Sequence, residues 1–406
     1  MLDILKVSLV FASILLLLRL KLNVGSVLII SSGLLAALYL MPLPTIAATI
    51  KAALIDPVTI KLFLALTLIK VLEVILREQK VLARMMETSR TLLKKKRAVI
   101  ISMPLLIGLL PSMGGAYFSA PMVDESSKGL RMTPEEKGFV NYWFRHPWEY
   151  VLPLYPGILL ASAMSGIELR RLIAANAAYA LTIFITGFIF SMRKIDGKFE
   201  RREKVKHFTG SPIHRFTHSP LLSFLPVTLI LVMVMIFHIE LYYALGATIV
   251  LLFAYYKLPP KEMFRILREG FTTDVIILIF GAMLFKFTME NSGAVGHLSR
   301  YFTETGIPLL PVLFVLPFIS GLLTGLTVGF VGGTFPLILS LAGGAHLNQI
   351  TFAFASGFAG VLLSPVHLCL VLTREYFKAD MWGIYKKTIP ATVIIMAGAL
   401  VEYFIL

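Results

Sequence analysis

The chain has 406 residues, 57% of them hydrophobic, with a mean hydropathy of +0.83 and a formal net charge of +15. Soluble domains hold about 45–50% apolar residues; the excess here is gathered into long blocks with the basic residues between them, which speaks against a soluble or nucleic-acid-binding protein and for membrane helices oriented by charge. The single cysteine, Cys369, excludes an intramolecular disulfide and any zinc motif built on paired cysteines.

A membrane span needs about 20 mostly apolar residues. Met1–Leu22 ends at Arg19 and Lys21 with no small-residue cleavage site, so it reads as a first membrane helix and not as a signal peptide. In chain order the predicted spans are Ile4–Leu18, Val24–Leu40, Val58–Leu76, Phe139–Met164, Leu172–Met192, Leu221–Phe237 and Leu241–Tyr256. Asp274–Met289, Leu347–Leu372 and Ile384–Phe404 follow. Two further apolar stretches, Ala98–Val123 and Ile307–Leu341, carry glycine-rich interruptions.

The basic segments Arg77–Arg97 and Arg193–His218 belong on the cytoplasmic side. Both lie there only if Ala98–Val123 enters from the cytoplasm and returns as a re-entrant hairpin. The alternative is one kinked spanning helix, which puts the second basic segment outside. Continuing the count places Lys257–Arg268 and Arg374–Lys387 inside, Glu290–Gly306 outside, and Ile307–Leu341 as a second hairpin opening outward. Both termini then face outward.

Residues 1–192 and 221–406 share an order of helices around one interrupted hairpin (about 98–123 and 307–341), with 193–220 as a cytoplasmic linker. MPLLIGLL, with Pro104 and Gly108, echoes LPFISGLL, with Pro317 and Gly321. Gly114-Gly115 then Pro121 matches Gly332-Gly333 then Pro336. Opposite hairpin entry makes the repeats inverted, a recurrent transporter design. The fold expected is an all-α polytopic membrane protein of about ten transmembrane helices plus two re-entrant hairpins.

The segments GLLPSMGGAYFSAPMVDE (108–125) and GFVGGTFPLI (329–338) resemble an uncharacterised prokaryotic membrane protein family, domain of unknown function 401. That family is placed in the ion transporter superfamily, with citrate and dicarboxylate carriers, gluconate permeases, sodium/proton antiporters and the arsenite permease. The resemblance implies two hairpins, a discontinuous helix after each, ligands near the midplane, and a homodimer. The Ser-Asn-Thr tip signature of the dicarboxylate carriers is absent, which argues against a dicarboxylate substrate.

Candidate site residues fall at the tips and breaks. Pro111, Ser112, Gly114, Gly115 and Ser119 make the first tip; Thr324, Thr327, Gly332, Gly333 and Thr334 make the second. Glycine lets backbone approach a ligand, and exposed helix ends suit anions at amides and cations at carbonyls, so a sodium ion at the tips is expected. The competing reading is tight packing by small residues. Arg145-His146-Pro147-Trp148-Glu149-Tyr150 lies in a predicted span that Pro147, Pro153 and Pro156 would break. With the helix starting near Phe139, Glu149 sits about 15 Å deep at 1.5 Å per residue, where an ionisable group is costly and functional. Glu149 is then the carrier of a coupling proton or a sodium ligand, and Arg145 its partner or an anion contact. The bland alternative makes Arg145 and Trp148 interface anchors. Ser364, Pro365 and His367 form the second-half counterpart, with His367 either titrating or structurally satisfied. Lys70, Glu73, Lys286 and Glu290 read as snorkelling residues, Asp274 as a helix cap, and Asn176 as a polar packing contact.

No Walker-type motif or HExxH occurs, and nothing orders Ser356 and His367 as a triad, so neither an ATPase nor an enzyme with a cofactor is expected. The expectation is a multi-pass cell-membrane carrier, coupled to Na+ or H+, for a small anion such as an organic acid. A sodium/proton antiporter without organic substrate is the alternative.

Overall fold

The computed structural model describes residues 2–93, 95–111, 115–192, 220–306 and 308–406. Ser112 and Gly114 of the first tip, and the histidines His207, His214 and His218 of the basic linker, lie outside the described residues. Every regular element described is helical.

The first half runs α1 (Leu2–Arg19), α2 (Val24–Leu38), α3 (Leu43–Ile55), α4 (Pro57–Glu78), α5 (Val81–Leu92), α6 (Lys96–Ile107) and α7 (Gly115–Ser126). It continues with α8 (Pro134–Trp143), α9 (Trp148–Val151), α10 (Pro156–Ser165) and α11 (Leu169–Gly187), which ends in a π-turn over Phe188–Met192. The second half runs α12 (Leu225–Met235), α13 (Leu241–Tyr255), α14 (Pro260–Gly270), α15 (Thr273–Asn291), α16 (Ala294–Thr305) and α17 (Leu309–Thr324). It closes with α18 (Thr327–Ala342), α19 (Leu347–Leu363), α20 (Leu368–Phe377) and α21 (Met381–Ile405).

Polar side chains set many helix starts by satisfying first-turn amides. Asn23 caps α2, Asp56 caps α4 with Pro57 behind it, and Asp380 caps α21. Thr133 and Glu136 form a reciprocal capping box at α8. The cap of α15 is Thr272, whose side chain accepts from the Val275 amide, and Asp274 sits inside the first turn. Asp274 is therefore not the cap its position suggested.

Small residues bring backbones together where helices cross. A Cβ on Gly281 of α15 would stand 2.2 Å from the Gly25 carbonyl oxygen of α2. A Cβ on Gly321 of α17 would stand 2.1 Å from the Gly357 oxygen of α19, and one on Gly360 equally close to the Phe318 oxygen. The arms α6 and α7 pack on each other across the first interruption, and α17 and α18 do so across the second.

Four helical stretches are long and apolar enough to cross a membrane unaided: Leu169–Ser191, Pro260–Asn291, Leu347–Phe377 and Met381–Ile405. Shorter apolar helices surround them; α2, at 15 residues, rises about 22 Å against a hydrocarbon core of about 30 Å. The chain is thus a helical protein of membrane type.

Several sequence expectations need correcting. Phe139–Met164 is not one helix but α8, α9 and α10. Helices also occupy segments read as connections: α5 lies inside the basic stretch Arg77–Arg97, α14 covers most of Lys257–Arg268 and runs on to Gly270, and α16 lies inside Glu290–Gly306, while α3 was not anticipated. In α14, Ile266 and Gly270 are buried between exposed charged residues, and Gly270 abuts Val71 of α4. Such amphipathic segments bury one narrow face, which block hydropathy averages away.

Candidate functional site

Two interrupted helices meet in the buried interior, and their interruptions are written in X-Pro pairs. Proline disfavours helical conformation at the residue before it. Leu152 before Pro153, Tyr155 before Pro156 and Ser364 before Pro365 are all extended, with ψ of 121°, 126° and 124°. Pro156 does not break a helix but starts one, occupying the first turn of α10, where its missing N–H costs nothing.

The carbonyls and amides set free at breaks must find partners. Tyr142 Oη donates to the Leu362 carbonyl at 3.0 Å and Tyr385 Oη to that of Leu363 at 2.9 Å, so two tyrosines satisfy the end of α19. Asn176 Nδ2 donates to the Tyr150 carbonyl of α9 at 3.3 Å, which fits its reading as a polar packing contact. Tyr155 Oη donates to the Gly108 carbonyl at 2.5 Å, and Trp148 Nε1 to that of Leu105 at 2.7 Å, tying the first break to the end of α6. Trp148 is therefore a strut between α9 and α6.

A hairpin glycine abuts each break. A Cβ on Gly108 would come within 2.4 Å of the Arg145 carbonyl oxygen. Gly325, at φ +64° between α17 and α18, would place one 2.9 Å from the His367 backbone. Gly157, at the start of α10, lies so close to Thr327 that a Cβ would stand 2.3 Å from its Cγ2.

These contacts converge on a cluster of polar side chains from both halves. Glu149 Oε2 accepts a 2.6 Å hydrogen bond from Thr327 Oγ1, at the first residue of α18. Glu149 Oε1 lies 3.7 Å from His146 Nε2. His146 and His367 face each other with Nε2 atoms 3.0 Å apart. Their Nδ1 atoms each lie 2.6 Å from a carbonyl oxygen, of Tyr142 and of Gly325. Arg145 is 4% exposed and shares this neighbourhood with Glu149, Tyr155 and Cys369. Tyr142 stacks edge-on against both imidazoles, at 4.6 and 5.7 Å between ring centres.

Beside this centre is a second buried network. Ser119 Oγ donates to Asn141 Oδ1 at 2.6 Å, and Asn141 Nδ2 donates to the Ala116 carbonyl and to Thr373 Oγ1, both at 2.9 Å. It joins α7, α8 and α20 through side chains of Ser119, Asn141 and Thr373. The second arm of the α6–α7 pair, α7, starts at the buried Gly115.

The predicted site residues thus divide. Arg145, Glu149, Thr327, Ser364 and His367 come together at the junction, with Thr324 beside Gly325, its Oγ1 accepting from the Leu326 amide at 3.2 Å. Ser119 lies one network away. Gly332, Gly333 and Thr334 do not reach the break: they lie in the body of α18, the glycines against Leu28 and Ile14 and the threonine hydroxyl on its own Phe330 carbonyl at 2.7 Å. Pro111 directly precedes the tip residues that are not described.

Sequence reasoning did not place His146, Cys369, Tyr142 or Asn141 at the site. His146 stood inside the segment singled out for its arginine and glutamate, and that was the available signal. Cys369 gave none, because the two rings it meets lie 223 residues away in the chain for His146 and two for His367.

Among the described residues the chain is helical and apolar, with buried polar side chains at two helix breaks, which defines a protein of membrane type. Residues 4–406 match the model of the family described as "Protein of unknown function (DUF401)", and the chain belongs to that family. No curated protein matches the chain.

Proposed function

We propose that the protein is a secondary active transporter that carries a small anion, such as an organic acid, coupled to Na+ or H+ by alternating access. The observation that carries this reading is the Glu149–Thr327 hydrogen bond, 2.6 Å long, between the broken helix of one half and the hairpin of the other. A carboxylate in that position is costly unless it is used. Protonating it or giving it a cation weakens its hold on the α18 start, and so links ion binding to movement between halves.

Residues 1–192 and 221–406 are the two inverted repeats in this reading. It is supported by the parallel contacts of Gly108 on Arg145 and Gly325 on His367, each a hairpin glycine set against a break. Arg145 supplies the positive charge for the anion, with freed helix-end amides adding theirs. The basic segments face the cytoplasm, both termini face outward, and the protein resides in the cell membrane as a homodimer.

Proteoliposomes loaded with a sodium or pH gradient test the proposal. Gradient-driven uptake of a labelled anion is expected in the native protein and is expected to fall at least about tenfold, about 1.4 kcal/mol, in Glu149→Gln, whose amide oxygen still accepts from Thr327. Uptake unchanged by the substitution would sink the coupling role. The close approach of Glu149 to His146 favours one second reading, a sodium/proton antiporter without organic substrate. Proton flux driven by a sodium gradient in the absence of any anion would decide for it.

A further inference from the structure

We propose that His146, His367 and Cys369 form a binding site for a thiophilic transition-metal cation of the Zn2+ class. Their ligand atoms, one nitrogen from each ring and the thiol sulfur, all lie within 4.8 Å of one another, and all three residues are buried.

The hydrogen bonds fix what each ring presents. A carbonyl oxygen only accepts, so the 2.6 Å contacts to Tyr142 and Gly325 place a hydrogen on both Nδ1 atoms. Each neutral imidazole then aims the lone pair of Nε2 into the space between them, where the two nitrogens are 3.0 Å apart. Two facing lone pairs repel, and an electrophile beside both removes the conflict. Metal-ligating histidines characteristically donate their other N–H to a carbonyl, which orients the ring and raises its basicity. Both rings here carry that support.

The third ligand selects the cation. Two imidazoles with a thiolate suit Zn2+ and similar borderline cations, and they are a poor match for Na+, Ca2+ or Mg2+, which take oxygen. His367 and Cys369 are two residues apart, a spacing that does not share a face on a continuous helix. The Ser364–His367 interruption ahead of α20 is what turns them to a common point. Three protein ligands leave a fourth position for water or solute, with the Glu149 carboxylate nearby. Binding displaces the thiol proton to solvent, and the thiolate left behind offsets part of the cation's charge. This inference does not depend on the transport reading.

The test uses the full-length protein, purified in detergent, stripped with a chelator and titrated with Co2+ as a spectroscopic probe. Since Cys369 is the single cysteine, any thiolate-to-cobalt charge-transfer band reports this site alone. One equivalent is expected to develop the band, and Zn2+ to abolish it by displacement. Cys369→Ser is expected to lose the band, and His146→Gln and His367→Gln to weaken binding at least about tenfold. Zn2+ should raise the melting temperature of the native protein and not that of Cys369→Ser. A folded native protein that shows no band, or a Cys369→Ser variant that binds as tightly as the native one, overturns the proposal and leaves a proton shared between the rings. The readout is binding, so transport without metal binding would overturn this inference alone, and metal binding without transport the functional reading alone.

Discussion

Gly325 and Glu149 show how much a single position at this junction carries. Gly325 sits at φ +64° with the His367 backbone where its side chain would be. Alanine there meets both a left-handed conformation and a backbone clash, so Gly325→Ala is expected to cost about 1–3 kcal/mol. Denaturation in detergent measures it, and a native-like midpoint would show that the tip does not press on the second break. Glu149 was legible from sequence as a carboxylate in an apolar span. Its depth was argued from one continuous helix, and that part failed, because α8 ends at Trp143 and α9 is a separate turn. What the residue faces, a threonine 178 positions away, could not be read from neighbours in the chain.

Among the helices, packing and capping separate cleanly. At the crossing of α2 and α15 a side chain on Gly281 would collide with backbone, which cannot swing aside as a flexible side chain does. Gly281→Ala is expected to destabilise by about 1–3 kcal/mol, whereas Gly246→Ala in α13, with nothing within 4 Å, is expected to be neutral or stabilising by about 0.5–1 kcal/mol. Equal melting temperatures for the two variants would remove the argument. At the start of α21, Glu135 Oε1 accepts from the Asp380 amide at 3.2 Å. Hydrogen bonds from its own amide, that of Asp380 and the Thr133 side chain hold its carboxyl below the usual range. A lowered folded value means the stabilisation is present above the ordinary carboxylate pKa of about 4.3 and is lost as pH falls through the folded value. Glu135→Gln should therefore lower stability at pH 7 by about 0.5 kcal/mol and narrow the gap between pH 7 and acid, read from melting curves. A variant with the native pH profile would place the titration elsewhere.

For the molecule as a whole, the charge-derived topology makes a direct prediction. In a Cys369→Ser background, Leu406→Cys should react with an impermeant maleimide on intact cells, and Glu87→Cys only after permeabilisation; the reverse pattern would invert the orientation. The sequence by itself determined the membrane class, the position of most helices and the two interrupted hairpin stretches, because block hydropathy and X-Pro restriction act within a few residues of the chain. It also marked Arg145, Glu149 and His367 as out of place in apolar helices, though it missed α5 and α14, short helices whose charged residues keep them from registering as apolar blocks. Only the tertiary structure decided that Gly332 and Gly333 lie against Leu28 and Ile14 in the body of α18, and that His146, His367 and Cys369 meet. Their meeting is made by contacts between breaks more than 200 residues apart, and no local pattern encodes which buried groups will share one point in space.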